Sequence, residues 1–577
     1  MPGLVGFTRP ASEDGADLRL LERMGARLQH TPSCRREPPF ADAHVCATRC
    51  LVGRVQPAPQ PHGGPGLRVW LDGEVCNRGE VDPAVPSDPH LLEGVHARRF
   101  PEDLVLLDGI FAAVLYDDLA GKVHLVTDRH GLRPLYWARH PGGIAWSSEA
   151  KALLCLPGLA PRIDPAALES FLGVGYLHED LTWFAAVRRV PAASVLTWDR
   201  REGEVRLRRY WAWTQLPEPG PPGRQDELAD ELGALFRAAV QRRAGPGERP
   251  VLLLSGGLDS RAILAALPEE AQAQAVTFGH PESADARIAT RCAALKGVPH
   301  RLAPVDPAGW LEPRLQAVWW TDGMLDVLHM HGLEAMPAAA LAGHLLLNGA
   351  GGDGLVGGGH LFPPHAFAHY LQERLGVTKR QHPELVAALH AGFARLGSAH
   401  AWYVDHRMRS FSVYGLLLAA HHGLDYRLPF MDNAFQERLY AVPVSLRVHN
   451  ALYRRMLLRA FPAFYRTIPW QTSGVPLSWP PWSARLLRSW RRRRGDTGPG
   501  SVDYPAWLRQ EPARTLCARV LLAPDALFPD FLPHKRVVRA WHEHQAGVDR
   551  TAALGRYLTL EVMLRQFLQG AWLPPTG

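Results

Sequence analysis

The sequence lacks three features that would narrow its class at once: a run of 18 apolar residues, a signal-peptide pattern at its start, and a Cys-x-x-Cys motif. Neither a membrane span nor secretion is therefore expected. Seven cysteines are scattered over 577 residues, so a reducing, cytoplasmic location is favoured over a disulfide framework. His44, Cys46 and Cys50 lie close together, but no second ligand cluster supports a zinc site.

Net charge is also small for this length. Lysine and arginine number 64 against 57 aspartate and glutamate, which gives a net charge of +7 and a pI of about 9.1. The mild excess suits anionic ligands such as nucleotides. The four arginines at 491–494 are more typical of a solvated loop than of a nucleic-acid patch, so no nucleic-acid partner is expected.

The composition is that of a globular chain with two or three domains. Residues 1–213 are predicted to be rich in β-strands, because their short apolar runs carry β-branched and aromatic residues. These runs lie at 67–75, 108–118 and 122–129, and the last two are joined by a predicted hairpin. Segment 214–224 is dominated by proline and glycine, which is typical of a linker.

Residues 225–577 show a different pattern, in which strands and helices alternate. Strands are predicted at 251–255, 273–279, 299–305 and 344–353, with helices at 225–243, 260–267 and 285–297. This order is typical of an α/β fold with a doubly wound parallel sheet. Beyond about residue 360 the chain is predicted to be mostly helical.

The stretch S-G-G-x-D-S, residues 255–260, follows the first of these strands and opens a helix. Ser255, Gly256 and Gly257 let the backbone approach an oxyanion closely, and the helix N-terminus adds positive potential. The stretch matches neither GxxxxGK[ST] nor GxGxxG. Since a carboxylate repels phosphate, Asp259 predicts a bridging Mg²⁺, and Asp353 is placed to supply a second ligand.

A tight turn with Asp259 as a helix cap is the simpler interpretation of this stretch. The full six-residue string and the second Gly-Asp turn at 349–353 favour a nucleotide site instead.

Several segments resemble one family in the same order. VLLLSGGLDS resembles the pyrophosphate loop of the N-type ATP pyrophosphatases, specifically of the asparagine synthetase family. Further resemblances lie at LLLNGAGGDGLVGG (345–358), DYRLPFMDNAF (425–435), residues 106–138 and IAWSSEAKALL (144–154). Together they span most of residues 65–475.

The resemblance implies the fold and the chemistry. Residues 1–213 are expected to form an Ntn-hydrolase-like, class II glutaminase-like β-sandwich, and residues 225–577 an adenine nucleotide α-hydrolase-like domain. A substrate carboxylate attacks the α-phosphorus of ATP, Mg·pyrophosphate leaves, and an amine converts the acyl-adenylate into an amide. Leu254, Phe278 and Gly349 are expected to line the adenosine pocket and Ser260 to complete the phosphate loop, although core packing also explains Leu254 and Phe278.

The sequence departs from the asparagine synthetases at position 2. They use an N-terminal cysteine to hydrolyse glutamine, whereas Pro2 has no thiol. Arg49, Gly73 and Asn77 resemble remnants of the glutamine site. The N-terminal domain is therefore predicted to be a degenerate scaffold, and the amine must come from elsewhere.

Two branches of the family lack that cysteine: the β-lactam synthetases and the lasso peptide cyclases. Ala350 stands where the former have a tyrosine, and it leaves room for a bulky peptide. The family lysine would fall near Thr472, and Arg454, Arg455 or a partner's basic group are possible replacements. The start MPGLVGF also resembles the cyclases, so a lasso peptide cyclase is the favoured hypothesis.

That hypothesis predicts a precursor peptide as substrate, and a leader peptidase and leader-binding protein as partners. A β-lactam or ammonia-dependent amide synthetase and a non-enzymatic nucleotide-binding scaffold are the alternatives. Asp425, His421 and His422 were weighed as proton acceptors, and none is favoured over a structural role. Four aromatic residues, Trp319, Trp320, Trp402 and Tyr403, are predicted to be packing residues rather than a peptide pocket.

Overall fold

The computed structural model describes residues 3–9, 16–52, 55–220, 224–245, 247–480, 482–484, 486–487 and 500–570. It is a mixed α/β structure with two antiparallel sheets in the first 209 residues and one parallel sheet after residue 250. Within the described residues, no helix is long and apolar enough to cross a membrane. Pro2 and the arginine run at 491–494 lie outside the described residues.

The N-terminal half is a pair of packed antiparallel sheets. Seven strands form the first: Arg188–Arg189, Tyr136–His140, Gly143–Ser147, Gly3–Thr8, Val45–Leu51, Arg35–Arg36 and Phe40–Ala41. Six form the second: Glu204–Arg209, Ser194–Asp199, Lys122–Thr127, Gly109–Asp117, Leu67–Val75 and His62–Gly64. The predicted hairpin is confirmed by the pairing of Asp117 with Lys122.

Helices also occur in this half, which the sequence pattern did not predict. They are Ala16–Ala26, Arg78–Val81, Asp88–Arg99, Ala150–Leu153 and Pro165–Val174, with a 3-10 turn at Glu102–Leu106. The sequence pattern also does not predict the strand Gly3–Thr8, in which every residue is buried. A strand buried on both faces lacks the alternation of apolar and polar residues that identifies a half-exposed one.

The C-terminal half is organised around five parallel strands. In spatial order they are His300–Ala303, Gln274–Phe278, Pro250–Leu253, Leu345–Leu347 and Asp425–Arg427. Four of the five were predicted from the sequence. The chain first builds outward on one side of Pro250–Leu253 and then returns to its other side, which is the doubly wound arrangement expected.

Helices surround this sheet. They are Gln225–Ala244, Asp259–Ala266, Ala284–Lys296, Leu311–Trp320, Met336–Ala342, Phe367–Leu375, Pro383–Leu396, Ala399–Tyr403, Val413–His421, Asn433–Tyr440, Val444–Arg447, Ala451–Ala460, Pro462–Tyr465, Tyr504–Trp507, Ala513–Leu521, His534–Gln545 and Thr551–Leu564. Ala284–Lys296 ends as predicted, because Gly297 takes a φ of 75° and its amide bonds back to the last turn.

Buried ion pairs join the two halves. Arg243 donates to Asp108 at 2.9 Å and to Asp432 at 2.7 Å, and all three are almost fully buried. Lys151 of the N-terminal half donates to Asp322 of the C-terminal half at 3.0 Å. Removing one partner of such a pair leaves a buried charge unpaired, which is strongly destabilising. These contacts therefore fix how the two halves meet.

Candidate active site

The two glycine-rich turns meet where the strand order reverses. One follows the strand Pro250–Leu253 and the other follows its parallel neighbour Leu345–Leu347. In open α/β sheets, ligands bind outside the carboxyl ends of the strands at this switch point. The fold therefore brings Ser255–Ser260 and 349–353 together, although about ninety residues separate them along the chain.

The first turn is held by its own polar groups. Ser255 donates its amide to the Ser260 hydroxyl at 3.1 Å, and Gly257 donates its amide to the Ser255 hydroxyl at 3.2 Å. The Gly256 amide donates to a carboxylate oxygen of Asp285 at 2.7 Å. The Gly256 amide therefore already binds an anionic oxygen, which is supplied by Asp285.

The second turn needs glycine because it wraps around Asp259. A Cβ placed on Gly349 would lie 2.9 Å from the Asp259 Cβ, and one on Gly352 would lie 2.3 Å from the Asp259 carboxyl carbon. Gly351 has a φ of 96°, which L-residues with side chains rarely adopt. The Asp353 amide then donates to Asp259 Oδ2 at 2.9 Å, which locks the two turns together.

Asp259 has a second partner that the sequence analysis did not identify. The hydroxyl of Tyr453, a fully buried residue, donates to Asp259 Oδ1 at 2.8 Å. Burial raises the pKa of Asp259 to about 7, while the bonds from Tyr453 and the Asp353 amide act in the opposite direction. Burial also raises the pKa of Asp353, and the nearby charge of Arg374 partly offsets that rise.

These two carboxylates fit a magnesium ion brought by a nucleotide. Both line one cavity, and each costs free energy when it is ionised there without a cation. No group of three or more His, Cys, Asp or Glu side chains within the described residues forms a self-sufficient metal site. Mg²⁺ is commonly held by one or two carboxylates together with phosphate oxygens and water, which is the set available here.

The cavity itself has a volume of about 690 Å³. Among the described residues its lining falls into four chain segments: Gly257, Leu258 and Asp259; Asp353, Gly357, Gly358, Gly359, Leu361, Phe362, Pro363, Tyr370 and Arg374; Val448, His449 and Asn450; and Trp470 and Thr472. Ser255, Gly256 and Ser260 stand in the turn beside it. A cavity of this size accommodates a nucleotide together with part of a second substrate.

The three residues predicted to line an adenosine pocket are not among those that line this cavity. Leu254 is 2% exposed, and its amide bonds to Val276 of the neighbouring strand at 2.9 Å. Phe278 ends that neighbouring strand and is half-buried against Gly332. Gly349 lies against Asp259 and Ser260. Their contact with adenosine stays a prediction.

Position 472 does face the cavity, so threonine stands at the edge of the site where a lysine was expected. Neither arginine suggested as its replacement lines the cavity. Arg454 donates to the Leu477 carbonyl at 2.8 Å, and Arg455 pairs with Asp226 at the surface at 2.6 Å. The cavity-lining cation is Arg374, from the last turn of the helix Phe367–Leu375.

Asp425, His421 and His422, none of which the sequence favoured as a proton acceptor, do not line this cavity. Asp425 begins its strand, so it lies at the amino edge of the sheet, where it accepts from the Val55 amide at 3.3 Å. It lines a separate cavity of about 570 Å³ between the two halves. His421 stacks on Trp320, with ring centroids 3.4 Å apart, and His422 follows it.

Most of the remaining candidates have structural roles. Trp402 is fully buried and stacks on His406, and Trp319 stacks on Phe567 at 4.9 Å, as the packing interpretation predicted. Tyr403 is different, because it packs against Gly354, next to Asp353. Arg427, two residues after Asp425, pairs with Glu74 of the N-terminal half at 2.7 Å.

The residues that resemble remnants of a glutamine site, Arg49, Gly73 and Asn77, contact other residues of the N-terminal half. Arg49 is 2% exposed and pairs with Glu37 at 2.7 Å. Asn77 donates to the Leu106 carbonyl at 2.9 Å and accepts from the Asp108 amide at 2.8 Å. Gly73 has a φ of 90° and would clash with the Ile110 carbonyl if it carried a Cβ.

Comparisons with known proteins agree with this architecture. The family model described as asparagine synthase matches residues 231–565, and the model described as glutamine amidotransferase domain matches residues 86–211. The first match covers more than half of the chain and contains both glycine-rich turns.

Three curated relatives are 25–29% identical to this chain. Carboxyethyl-arginine beta-lactam-synthase of Streptomyces clavuligerus is 29% identical over 384 residues, which are 62% of this chain and 65% of that protein. Glutamine-hydrolyzing asparagine synthetase 3 of Bacillus subtilis is 26% identical over 225 residues, 37% of this chain and 36% of that protein. The asparagine synthetase of Mesocricetus auratus is 25% identical over 416 residues, 68% of each chain. The chain thus matches less than two thirds of the length of the first two relatives.

Proposed function

Because the chain belongs to the asparagine synthase family, we propose that it is an ATP-dependent, AMP-forming lasso peptide cyclase. In this proposal a side-chain carboxylate of Asp or Glu in a precursor peptide is adenylated, and pyrophosphate is released. The amino-terminal amine of the same peptide then attacks the acyl-adenylate, AMP leaves, and an isopeptide macrolactam closes. Both reacting groups belong to one molecule, so holding them in contact removes much of the entropic barrier.

The residues of the two glycine-rich turns carry the first step. The Ser255–Ser260 turn and the N-terminus of its helix lie at the switch point, where they favour a polyphosphate. Asp259 and Asp353 are the residues that would hold Mg²⁺, and the bound ion would neutralise charge on the leaving pyrophosphate. Tyr453 fixes the orientation of Asp259 and favours its ionised form.

The proposal that the substrate is a peptide rests on the residues that line the cavity. Beyond Asp353 the segment 357–374 contributes three glycines, then Leu361, Phe362, Pro363 and Tyr370, and one cation, Arg374. The rest of the described lining comes from 448–450, Trp470 and Thr472. Within the described residues, the lining carboxylates are Asp259 and Asp353, both assigned to the metal. A free amino acid has an ammonium group that needs an acidic partner, whereas a peptide side chain on an apolar segment needs none.

Ala350 supports the same choice. It stands in the second turn with its amide bonded to the Asn348 side chain at 2.8 Å, and its methyl group can neither transfer a proton nor bind an ammonium.

A small-molecule amide synthetase is the second candidate. The similarity to carboxyethyl-arginine beta-lactam-synthase, at 29% identity over 384 residues, favours it. It predicts AMP release stimulated by a free β-amino acid or aspartate and not by a peptide, which is the opposite of the cyclase proposal.

The test incubates the chain with Mg·ATP and the leaderless core peptide of a precursor encoded beside its gene. The proposal predicts a product lighter than the peptide by one water, with AMP and pyrophosphate formed in equal amounts. The leader peptidase and leader-binding protein are proposed partners, so the full precursor is tested with and without them. Stimulation by free amino acids alone, without any change in peptide mass, would contradict the proposal.

A further inference from the structure

The lining of the catalytic cavity divides into a nucleotide part and a second part with other chemistry. Gly257, Leu258 and Asp259 belong to the nucleotide turn. The segment from 357 to 374 contributes three glycines, an apolar group and one arginine.

Arg374 occupies a distinctive position in this second part. Its Nη2 donates to the Gly359 carbonyl at 2.8 Å, and the Gly359 amide donates to the Asp353 carbonyl at 3.0 Å. The guanidinium is therefore tied, through one residue, to the turn that carries Asp353. In the part of the chain that the structure describes, Arg374 forms no ion pair within 4 Å, although its charge partly offsets the rise that burial causes in the pKa of the nearby Asp353. It is the single Lys or Arg among the described residues that line the cavity. Arg374 is an exposed residue that lines this cavity.

The first chemical step creates a need for such a cation. A carboxylate must approach the α-phosphate, which is itself an anion, in a cavity that already holds the carboxylates of Asp259 and Asp353. Mg²⁺ held by these two carboxylates would serve the leaving pyrophosphate, and the incoming carboxylate would still need a partner of its own. A guanidinium fork binds a carboxylate through two parallel hydrogen bonds and stays charged at any working pH.

We propose that Arg374 binds the substrate carboxylate, and that Phe362 and Tyr370 beside it receive the apolar part of the group that carries this carboxylate. The inference rests on the proposed function and extends it, because it names the acceptor site and its ligand class: a side-chain carboxylate on an otherwise apolar segment. In the step that follows, a carboxylate oxygen forms a bond to the α-phosphorus while the bond from that phosphorus to the bridging oxygen breaks. The electron pair leaves with pyrophosphate, and Arg374 neither gains nor loses a proton.

The aromatic neighbours give the site its apolar character. Phe362 and Tyr370 pack with ring centroids 4.3 Å apart, and both are largely buried. Tyr370 is also fixed through its hydroxyl, which lies 2.9 Å from His360 Nδ1. Arg374 follows Tyr370 by one helical turn, so the aromatic ring and the guanidinium lie on the same face of the helix.

The test measures equilibrium binding, so it does not depend on turnover. The probes are N-acetyl-aspartate α-benzylamide and N-acetyl-aspartate α-amide, titrated calorimetrically into the chain saturated with Mg²⁺ and α,β-methylene-ATP. Variants are Arg374→Gln, which removes the charge, and Arg374→Lys, which keeps the charge without the fork. Arg455→Gln is the matched control, because Arg455 also lies on a helix but pairs with Asp226 outside the cavity.

The proposal predicts that Arg374→Gln weakens probe binding by about tenfold or more, that Arg374→Lys loses less, and that Arg455→Gln loses nothing. The benzylamide binds more tightly than the amide, and the Kd of the nucleotide analogue stays the same in every variant. Equal probe binding by the wild type and Arg374→Gln overturns the proposal, as does an equal loss of nucleotide binding or the absence of probe binding to the wild type.

The two proposals fail in different ways. If the probes bind in an Arg374-dependent manner but no peptide ever yields AMP, the acceptor site stands and the proposed function is wrong. If the peptide is cyclised and Arg374→Gln leaves its KM unchanged, the function stands and the assignment of Arg374 is wrong.

Discussion

Replacing Tyr453 by phenylalanine tests the electrostatic account of the site. The substitution removes the hydroxyl that donates to Asp259 at 2.8 Å and leaves the buried ring in place. A hydrogen bond to a charged acceptor is worth about 1.5 kcal/mol or more, and about 1.4 kcal/mol corresponds to one pKa unit. The pKa of Asp259, which is about 7 with the bond present, is therefore expected to rise to about 8.

Magnesium competes with that proton, which fixes the size and the pH dependence of the effect. At pH 7 the ionised fraction of Asp259 falls from about one half to about one tenth, so Mg·ATP binding is expected to weaken about fivefold. At pH 9 both proteins are ionised and their affinities converge. Calorimetric titration with Mg·ATP from pH 6 to 9 measures this directly.

The matched control for this experiment is Tyr465→Phe. Tyr465 is equally buried and donates its hydroxyl to the Leu258 carbonyl at 2.7 Å, and not to the Asp259 carboxylate. It is expected to lose stability without a shift of the pH profile. Parallel affinity curves for Tyr453→Phe and the wild type across this range would refute the reasoning.

Three further predictions follow from the same contacts. Asp353→Asn is expected to reduce AMP formation by at least about a hundredfold and to leave the unfolding midpoint unchanged. The reason is that the exposed Asp353 carboxylate contributes to metal binding and not to the core. An Asp353→Asn variant that forms AMP at the wild-type rate would contradict this. Gly352→Ala places a methyl group 2.3 Å from the Asp259 carboxyl carbon, and it is expected to lower the free energy of unfolding in urea by about 2 kcal/mol. Its control, Gly94→Ala, lies at an open helix position and is expected to leave that free energy unchanged or to raise it. Lys151→Met leaves the buried Asp322 without its cation and is expected to lower the free energy of unfolding by about 3–5 kcal/mol. Its control, Lys122→Met, removes a surface ion pair with Asp199 and is expected to cost less than about 1 kcal/mol. Equal losses would show that the buried network does not hold the halves together.

The pH dependence of stability has a definite sign for the metal-free chain. Burial raises the folded-state pKa of Asp259 from 3.8 to about 7, so between these values the folded chain keeps a proton that the unfolded chain has lost. Stability from this group is therefore present at low pH and declines as the pH rises toward 7. Asp259→Asn is expected to flatten that part of the curve in chemical unfolding experiments.

The parts of the site that the sequence predicted are those encoded locally. Ser255–Ser260 and 349–353 each follow a strand with a strong apolar signal, and parallel strands place their carboxyl ends at one edge. Their proximity therefore followed from topology alone. The glycines were informative for the same reason, because close backbone approach to Asp259 leaves no room for a Cβ.

The parts that the sequence did not predict depend on long-range packing. Tyr453 and Arg374 stand in ordinary amphipathic helices, and nothing in their local sequence distinguishes them from packing or surface residues. The strand Asp425–Arg427 has three residues, too few for a periodic signal. Because that strand was not predicted, the sequence did not show that Asp425, at its start, lies at the edge of the sheet opposite the nucleotide site.

The central claim is that a peptide carboxylate attacks the α-phosphorus of ATP in the cavity lined by Asp259 and Asp353. Its most direct test uses the core peptide with ¹⁸O in the reacting side-chain carboxylate, followed by mass spectrometry of the nucleotide products. The account predicts that one labelled oxygen appears in AMP for each macrolactam formed. Label in inorganic phosphate accompanied by ADP, or AMP that carries no label, would contradict it.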